Sequence, residues 1–264
     1  VSAHDYDGDG DQDLFVGGRL IPGAYPTAPR SYLLQNDGGR FSDVTDQRAP
    51  GLERAGMVSD FRWVDLDGDQ KLELLVVGEW MPVSVYRYDG RSLVDATTDY
   101  GLAGSEGWWN CVLAQDVDGD GDTDLVAGNL GTNTRLQASS QAPLALFAKD
   151  FDQNQQIDPI LAFSHRGAYY PFAGRDALAK QLPKIKKKFP RYTPYARGTV
   201  NDLFSPRELA DAQRLEVYEL RSCYFENDGT GQFNRQPLPL RAQVSPVTNL
   251  VGEDFDGDGR QDLL

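Results

Sequence analysis

Short apolar runs recur along the chain, each entered through an acidic residue. "DLFVGG" (13–18), "LELLVVGEW" (72–80), "DLVAGNLG" (124–131), "DPILAF" (158–163) and "DLL" (262–264) are rich in β-branched residues and too short for core helices, so they predict buried strands. "DFRWV" (60–64), "NCVLAQ" (110–115), "LALFAK" (144–149) and "TNLVGE" (248–253) lie upstream of four of these runs and also read as strands. A polar segment joins the members of each pair, so the pattern predicts antiparallel strand pairs closed by acidic loops. Three further stretches, "SYLLQNDGGRFSDVT" (31–45), "VSVYRYDGRSLVDAT" (83–97) and "RSCYFENDGTGQFNRQ" (221–236), place an aromatic strand, an Asn/Asp-Gly turn and a second short strand in a row, which is a hairpin signature.

The acidic loops are copies of one nine-residue unit: "DYDGDGDQD" (5–13), "DLDGDQKLE" (65–73), "DVDGDGDTD" (116–124), "DFDQNQQID" (150–158) and "DFDGDGRQD" (254–262). Positions 1, 3, 5 and 9 carry an oxygen-bearing side chain in every copy. These are Asp5, Asp7, Asp9 and Asp13; Asp65, Asp67, Asp69 and Glu73; Asp116, Asp118, Asp120 and Asp124; Asp150, Asp152, Asn154 and Asp158; and Asp254, Asp256, Asp258 and Asp262. Alternate residues of a tightly turning loop can aim their carboxylates at one hard cation, and Ca²⁺, which takes six to eight oxygens at about 2.3–2.6 Å, suits the set better than Mg²⁺. The main-chain carbonyl of position 7 (Asp11, Lys71, Asp122, Gln156, Arg260) is expected to add a further ligand. Gly10, Gly121 and Gly259 at position 6 permit the sharp turn. An EF-hand is excluded because position 12 is not glutamate and strands, not helices, flank the loops. Up to five Ca²⁺ sites follow, strongest at 5–13, 116–124 and 254–262. The second loop has Gln70 in place of the turn glycine, and the fourth has Gln153, Gln155 and one carboxylate fewer.

Loop starts are separated by 60, 51, 34 and 104 residues. A four-stranded blade takes about 40–60 residues, so the first two intervals fit a β-propeller repeat. The third is too short for an outer hairpin, and 131–143 offers no strand pair, which predicts an abbreviated blade. The fourth has room for a helical insertion at 174–216, placed after a blade's second strand: "GRDALAKQLPKIKKKF" (174–189) reads helical with a break near Pro183, and Ser205, Pro206 and Glu208 form an N-cap, first-turn proline and capping box. The expected fold is therefore all-β, a β-propeller, complete or incomplete, with a small α-helical insertion in one blade. At 264 residues the chain forms a single propeller domain, or a fragment of one, over 1–264.

The loop consensus, the Leu-x-Val strand after it and "YFENDGTGQF" (224–233) resemble the FG-GAP/VCBS repeats of the integrin α propeller and of many secreted bacterial proteins. "VVGEWMPVSVY" (76–86), "PLALFAKDFDQNQQIDPIL" (143–161) and "YYPFAGRDALAKQLPKIKKKFPRY" (169–192) look like the bacterial VCBS-repeat proteins related to the cartilage acidic protein family. The resemblance implies integrin-α-like, calcium-stabilised blades on an extracellular, cell-surface or periplasmic protein.

Charge sharpens the metal reading. The net charge is −14, and removing the nineteen carboxylates at positions 1, 3, 5 and 9 would leave +5, so the acidity of the chain is the acidity of its loops. Carboxylates this close repel by several kcal/mol when partly buried, and a divalent cation reverses the sign. The acidity argues against nucleic-acid partners, and no apolar run reaches the roughly 18 residues of a membrane span. Cys111 and Cys223 read as buried free thiols. Neither His4 nor His165 has a partner at catalytic spacing, and nucleophile-elbow, zincin and phosphate-loop motifs are missing, so no enzymatic activity is expected. Lys180, Lys184, Lys186, Lys187, Lys188 and Arg191 form a basic run that reads as a solvated helix face or as a surface for an anionic glycan or protein. Trp80, Trp108, Trp109, Tyr169 and Tyr170 read as core packing or as sugar-stacking surfaces. The function expected from these features is a calcium-binding module that binds an extracellular protein or glycan, with calcium structural. The alternatives are the propeller of a polysaccharide lyase or hydrolase, and a lectin.

Overall fold

The computed structural model describes residues 1–264. Every acidic loop joins two antiparallel strands in the same register: the residue before position 1 faces position 9, as His4 faces Asp13, Val64 faces Glu73, Gln115 faces Asp124, Lys149 faces Asp158 and Glu253 faces Asp262. The loop is therefore a fixed hairpin connection, and its ninth side chain belongs to the returning strand.

The chain is all-β with short helices, and it divides into two compact units. The first comprises Val1–Arg19, Ala28–Thr134 and Leu220–Leu264. Its first sheet runs Ser2–His4, Asp13–Val16, Tyr32–Asp37, Arg40–Asp43 in spatial order. The second runs Met57–Val64, Glu73–Met81, Ser84–Tyr88, Leu93–Asp95, with Gly107–Trp108 added beside Glu73–Met81. The third runs Cys111–Gln115, Asp124–Gly128, Cys223–Asn227, Phe233–Pro237. A two-stranded ribbon, Gly252–Glu253 with Asp262–Leu263, carries the fifth loop.

The third sheet corrects the expectation of an abbreviated blade. Its outer hairpin is present, but it comes from 223–237, with Leu125 facing Phe225 across the pair. The intervening chain, 135–219, builds the second unit, which also takes in Leu20–Thr27. The insertion after the second strand of a sheet is thus the whole 135–219 segment. Within it a fourth sheet forms in the order Ala168–Pro171, Asp158–His165, Leu144–Lys149, Gln213–Val217. Helices Arg175–Gln181, Lys184–Lys188, Tyr192–Arg197, Val200–Leu203 and Pro206–Ala210 interrupt this sheet after its third strand, not its second. Ser205 and Glu208 close a reciprocal capping box, and Thr199 and Asp202 close another.

Packing follows from strand alternation. In "LLVV", Leu74 and Val76 join Phe15, Leu33 and Tyr86 in one core, while Leu75 and Val77 join Val112, Leu125, Ala127 and Phe225 in another. A strand buried on both faces needs this continuous apolar run. The second sheet is therefore sandwiched between the first and the third. In the second unit Ala145, Phe147, Ile160 and Ala162 pack under Leu178, Ile185 and Leu203 of the helices and under Leu182 and Phe204, which end two of them. Trp109 and Trp80 are core residues, whereas Trp108, Tyr169 and Tyr170 are half-buried. Cys111 and Cys223 are buried thiols not joined in a disulfide, and burial pushes the Cys111 thiol up to about 11. No helix is long and apolar enough to cross a membrane.

Candidate metal centres

The loops share one internal wiring. The position 1 carboxylate is a cap for the turn: Asp5 Oδ1 accepts from the N–H groups of Gly8 (2.8 Å) and Asp9 (3.1 Å), and Oδ2 from Gly10 (2.9 Å). Asp116 accepts from Gly119 and Gly121, and Asp254 from Gly257, Asp258 and Gly259. Asp65 and Asp150 do the same with Gly68 and Gln70, and with Asn154 and Gln155. The position 5 oxygen accepts from the N–H of position 7 in every loop, at 2.8–3.1 Å.

This wiring forces positions 4 and 6 into the left-handed region throughout: φ is 76° and 97° at Gly8 and Gly10, 85° and 98° at Gly119 and Gly121, and 78° and 86° at Gly257 and Gly259. No heavy atom lies within 4 Å of where a Cβ would stand at these glycines, so backbone conformation and not crowding selects them. Gln70 (67°), Gln153 (63°) and Gln155 (69°) adopt the same conformation with a side chain attached, at a cost of roughly 1–2 kcal/mol each.

The ninth carboxylate is the buried member. Asp13, Glu73, Asp124 and Asp158 are almost fully enclosed. Each, and Asp262 with them, accepts from the backbone N–H of position 2. With these two anchors in place, the side-chain oxygens of positions 1, 3 and 9 come within 4.8 Å of one another in all five loops: Asp5, Asp7 and Asp13; Asp65, Asp67 and Glu73; Asp116, Asp118 and Asp124; Asp150, Asp152 and Asp158; Asp254, Asp256 and Asp262. The position 5 residues Asp9, Asp69, Asp120, Asn154 and Asp258 are outside these trios, tied instead to the chain two residues on. Among the position 7 residues, Lys71 turns its ammonium to Asp69 Oδ2 at 3.1 Å, a competing cation in the second loop.

The carboxylates carry the electrostatic load expected of a cation site. Desolvation, followed by the repulsion of Asp67, Asp69 and Asp65, pushes Glu73 up to about 7. Desolvation and then Asp120 push Asp122 up to about 6. Asp7, Asp13, Asp118 and Asp158 are also raised, burial being the largest cause. Asp7 Oδ1 and Asp122 Oδ1 are buried without a hydrogen-bond partner. Hard anionic oxygens, crowded and partly orphaned, fit a calcium ion by donor type and number.

Several supporting residues had no place in the motif. Asn36 and Asn227 each present a backbone N–H to the ninth carboxylate, Asp13 at 2.8 Å and Asp124 at 2.9 Å. Asn227 Nδ2 also bridges Leu66 O in the second loop and Thr123 O in the third, and Tyr224 donates to Asp124 Oδ2. Gln35 donates to Asp7, Tyr100 to Asp67, and Gly38 N–H to Asp11 Oδ2. The only sequence signal for them was the "ND-G" of the two hairpin turns. A cavity of about 740 Å³ separates the first two loops, and one of about 180 Å³ the second and third.

A family model described as FG-GAP-like repeat matches residues 5–76 and, overlapping, residues 65–127. Each match begins on position 1 of an acidic loop and runs past the ninth position of the next, so the loop-to-loop interval is the repeat. Comparison with curated proteins finds no match.

Proposed function

For a chain that carries FG-GAP-like repeats over 5–127, we propose the role of a calcium-binding β-propeller module, whole or part, of a secreted or cell-surface protein, in which calcium is structural and the biological activity is binding. The observation that carries this reading is the recurrence of the same three-carboxylate convergence in five loops whose sequences differ. Positions 1, 3 and 9 would hold the ion, with position 5 and the position 7 carbonyl completing the set. Bound calcium supplies positive charge that turns mutual carboxylate repulsion into a cross-link between the two strands of each hairpin. Extracellular calcium modules bind at roughly 10⁻⁴–10⁻³ M, so at millimolar calcium each loop contributes on the order of 1 kcal/mol and several together decide stability. An extracellular setting, where calcium is millimolar, is part of the same reading, as is the narrower kinship with bacterial VCBS-repeat proteins.

Thermal unfolding with and without excess chelator is the test. A fall of many degrees on chelation is expected, with Asp118→Ala reproducing part of it in calcium; an unchanged melt in chelator would remove calcium from the account. A second reading, a polysaccharide lyase or hydrolase, draws on the 740 Å³ cavity, where His4, Lys71, Arg87 and Tyr88 meet the first two loops. Depolymerisation of an acidic polysaccharide that Arg87→Ala abolishes would favour it.

A further inference from the structure

Between residues 177 and 201 the chain carries seven lysines and arginines and no acid, within a protein of net charge −14. A helix face that is merely solvated interleaves the two signs. Some of this charge is structural. Arg175, buried, gives its guanidinium to Phe189 O, Pro190 O and Asp176; Lys184 reaches Phe151 O and Glu208; Lys188 reaches Leu203 O. These three tie the helices together. Lys180, Lys186, Lys187, Arg191 and Arg197 do not share in this: all are exposed and none has a carboxylate within ion-pair distance.

The unmatched cations are not spread evenly. Lys180 and Lys186 line one concavity of about 570 Å³ together with Tyr192, Pro190 and the mutually paired Arg175 and Asp176. Tyr192 is an unusual surface residue, with 64% of its area exposed. Its orientation is locked: Arg175 stacks on the ring at 4.6 Å from the centroid, and the hydroxyl donates to Asp176 Oδ2 at 2.7 Å. A rigid aromatic platform beside two free ammonium groups is the chemistry that recognises a sugar ring bearing carboxylate or sulfate: the ring's C–H face lies on the aromatic, and the cations meet the anion. A purely electrostatic partner such as an acidic peptide would have no use for the held tyrosine.

We propose that this concavity is a binding site for an acidic saccharide, built by the helical insertion around Lys180, Lys186 and Tyr192. The site gives a ligand class to the binding module inferred above and rests on that reading only for its biological setting, since no calcium loop lines it. The saccharide's charge can be sulfate or carboxylate, and the two are separable by experiment.

The test is titration of the whole chain, in millimolar calcium, with a fluorescent heparin octasaccharide (sulfated), a hyaluronan octasaccharide (carboxylate only) and maltooctaose (neutral). One or both acidic octasaccharides should bind and the neutral one should not, and binding should weaken about tenfold between roughly 50 and 300 mM salt as screening grows. Lys180→Gln/Lys186→Gln and Tyr192→Ala should each weaken binding about tenfold, while Arg241→Glu, a charge reversal in the other compact unit, leaves it unchanged. Retained melting temperatures in calcium establish that the variants fold, and charge-neutral Lys180→Met alone should weaken binding if the double variant does not fold. Absence of binding to both acidic octasaccharides, equal binding by the variants, or tighter binding to phosphatidylserine vesicles than to either octasaccharide overturns the proposal. A chain that binds octasaccharide yet melts identically in chelator sinks the calcium reading alone; a chelator-sensitive chain that ignores both octasaccharides sinks this one alone.

Discussion

The third and fourth loops reach one geometry from different sequences. Loop 116–124 has glycine at both left-handed positions, acids at all four side-chain ligand positions, and Tyr224 and Asn227 bracing its ninth carboxylate. Loop 150–158 has Gln153 and Gln155 at the left-handed positions, Asn154 at position 5, and Gln181 Nε2 as the one side chain from outside the loop that braces its ninth carboxylate, at 3.2 Å from Asp158 Oδ1. The oxygens of positions 1, 3 and 9 converge in both. The shared features are the capping carboxylate at position 1, the ninth carboxylate on position 2, and the register of the flanking strands. Those three set the turn. The glycines lower its cost without determining its shape, and the number of acids sets how strongly a cation is held.

This comparison predicts unequal responses. Removing the ninth carboxylate has the largest expected effect of any single change, because it strands buried donors: Asp124→Ala leaves Val117 N–H, Asn227 N–H and the Tyr224 hydroxyl unmatched and should cost about 3 kcal/mol in a denaturant melt. Asp158→Ala strands Phe151 N–H and the Gln181 amide, and should cost visibly less. Equal losses would show that the outer-hairpin brace contributes nothing.

An intermediate effect is expected from pH in the absence of calcium. Burial and neighbouring acids raise Glu73 to about 7 and Asp122 to about 6, above their unfolded values. The folded form then holds protons more tightly than the unfolded chain. Its stability from these groups is complete below the unfolded carboxylate range and is lost as pH rises through 6 and 7. In chelator the melting temperature should fall from pH 5 to pH 7.5, and Glu73→Gln should flatten that fall; saturating calcium should reverse it by displacing protons. The fourth loop responds in both directions: desolvation is the largest single influence on Asp150 and would raise it, but the backbone N–H groups around it together hold it below its ordinary value, while burial raises Asp158.

The smallest effects test the glycine argument. Gln153→Gly and Gln155→Gly should each stabilise by about 1 kcal/mol by relieving a left-handed side-chain-bearing residue, and Gly121→Gln should destabilise by a similar amount. A neutral or destabilising outcome in the fourth loop would mean that the glutamine side chains make compensating contacts in solution.

The loops, the three hairpins and the Ser205 helix cap were legible because their causes are local: an Asp-Gly turn, an alternating strand and a capping box each act over fewer than a dozen residues. The completion of the third sheet was not. Counting intervals assumes that consecutive strands pair, and no feature of "DLVAGNLG" indicates that Leu125 will face Phe225 a hundred residues later. The same blind spot hid Asn227, whose amide joins two loops far apart in the chain. It also hid the saccharide concavity, in which Lys180, Lys186 and Tyr192 meet only after three short helices fold against one another.

By itself the sequence determined where charge is concentrated and which residues face each turn, and it carried the expectation of a hard cation. Those are consequences of spacing along a chain whose side-chain direction alternates with every residue. Tertiary structure decided which hairpin completes which sheet, which carboxylates are buried, and which cations are left unmatched. Each of these depends on the free energy of excluding water between distant segments, and that energy is shared by all the surfaces that meet and has no local signature.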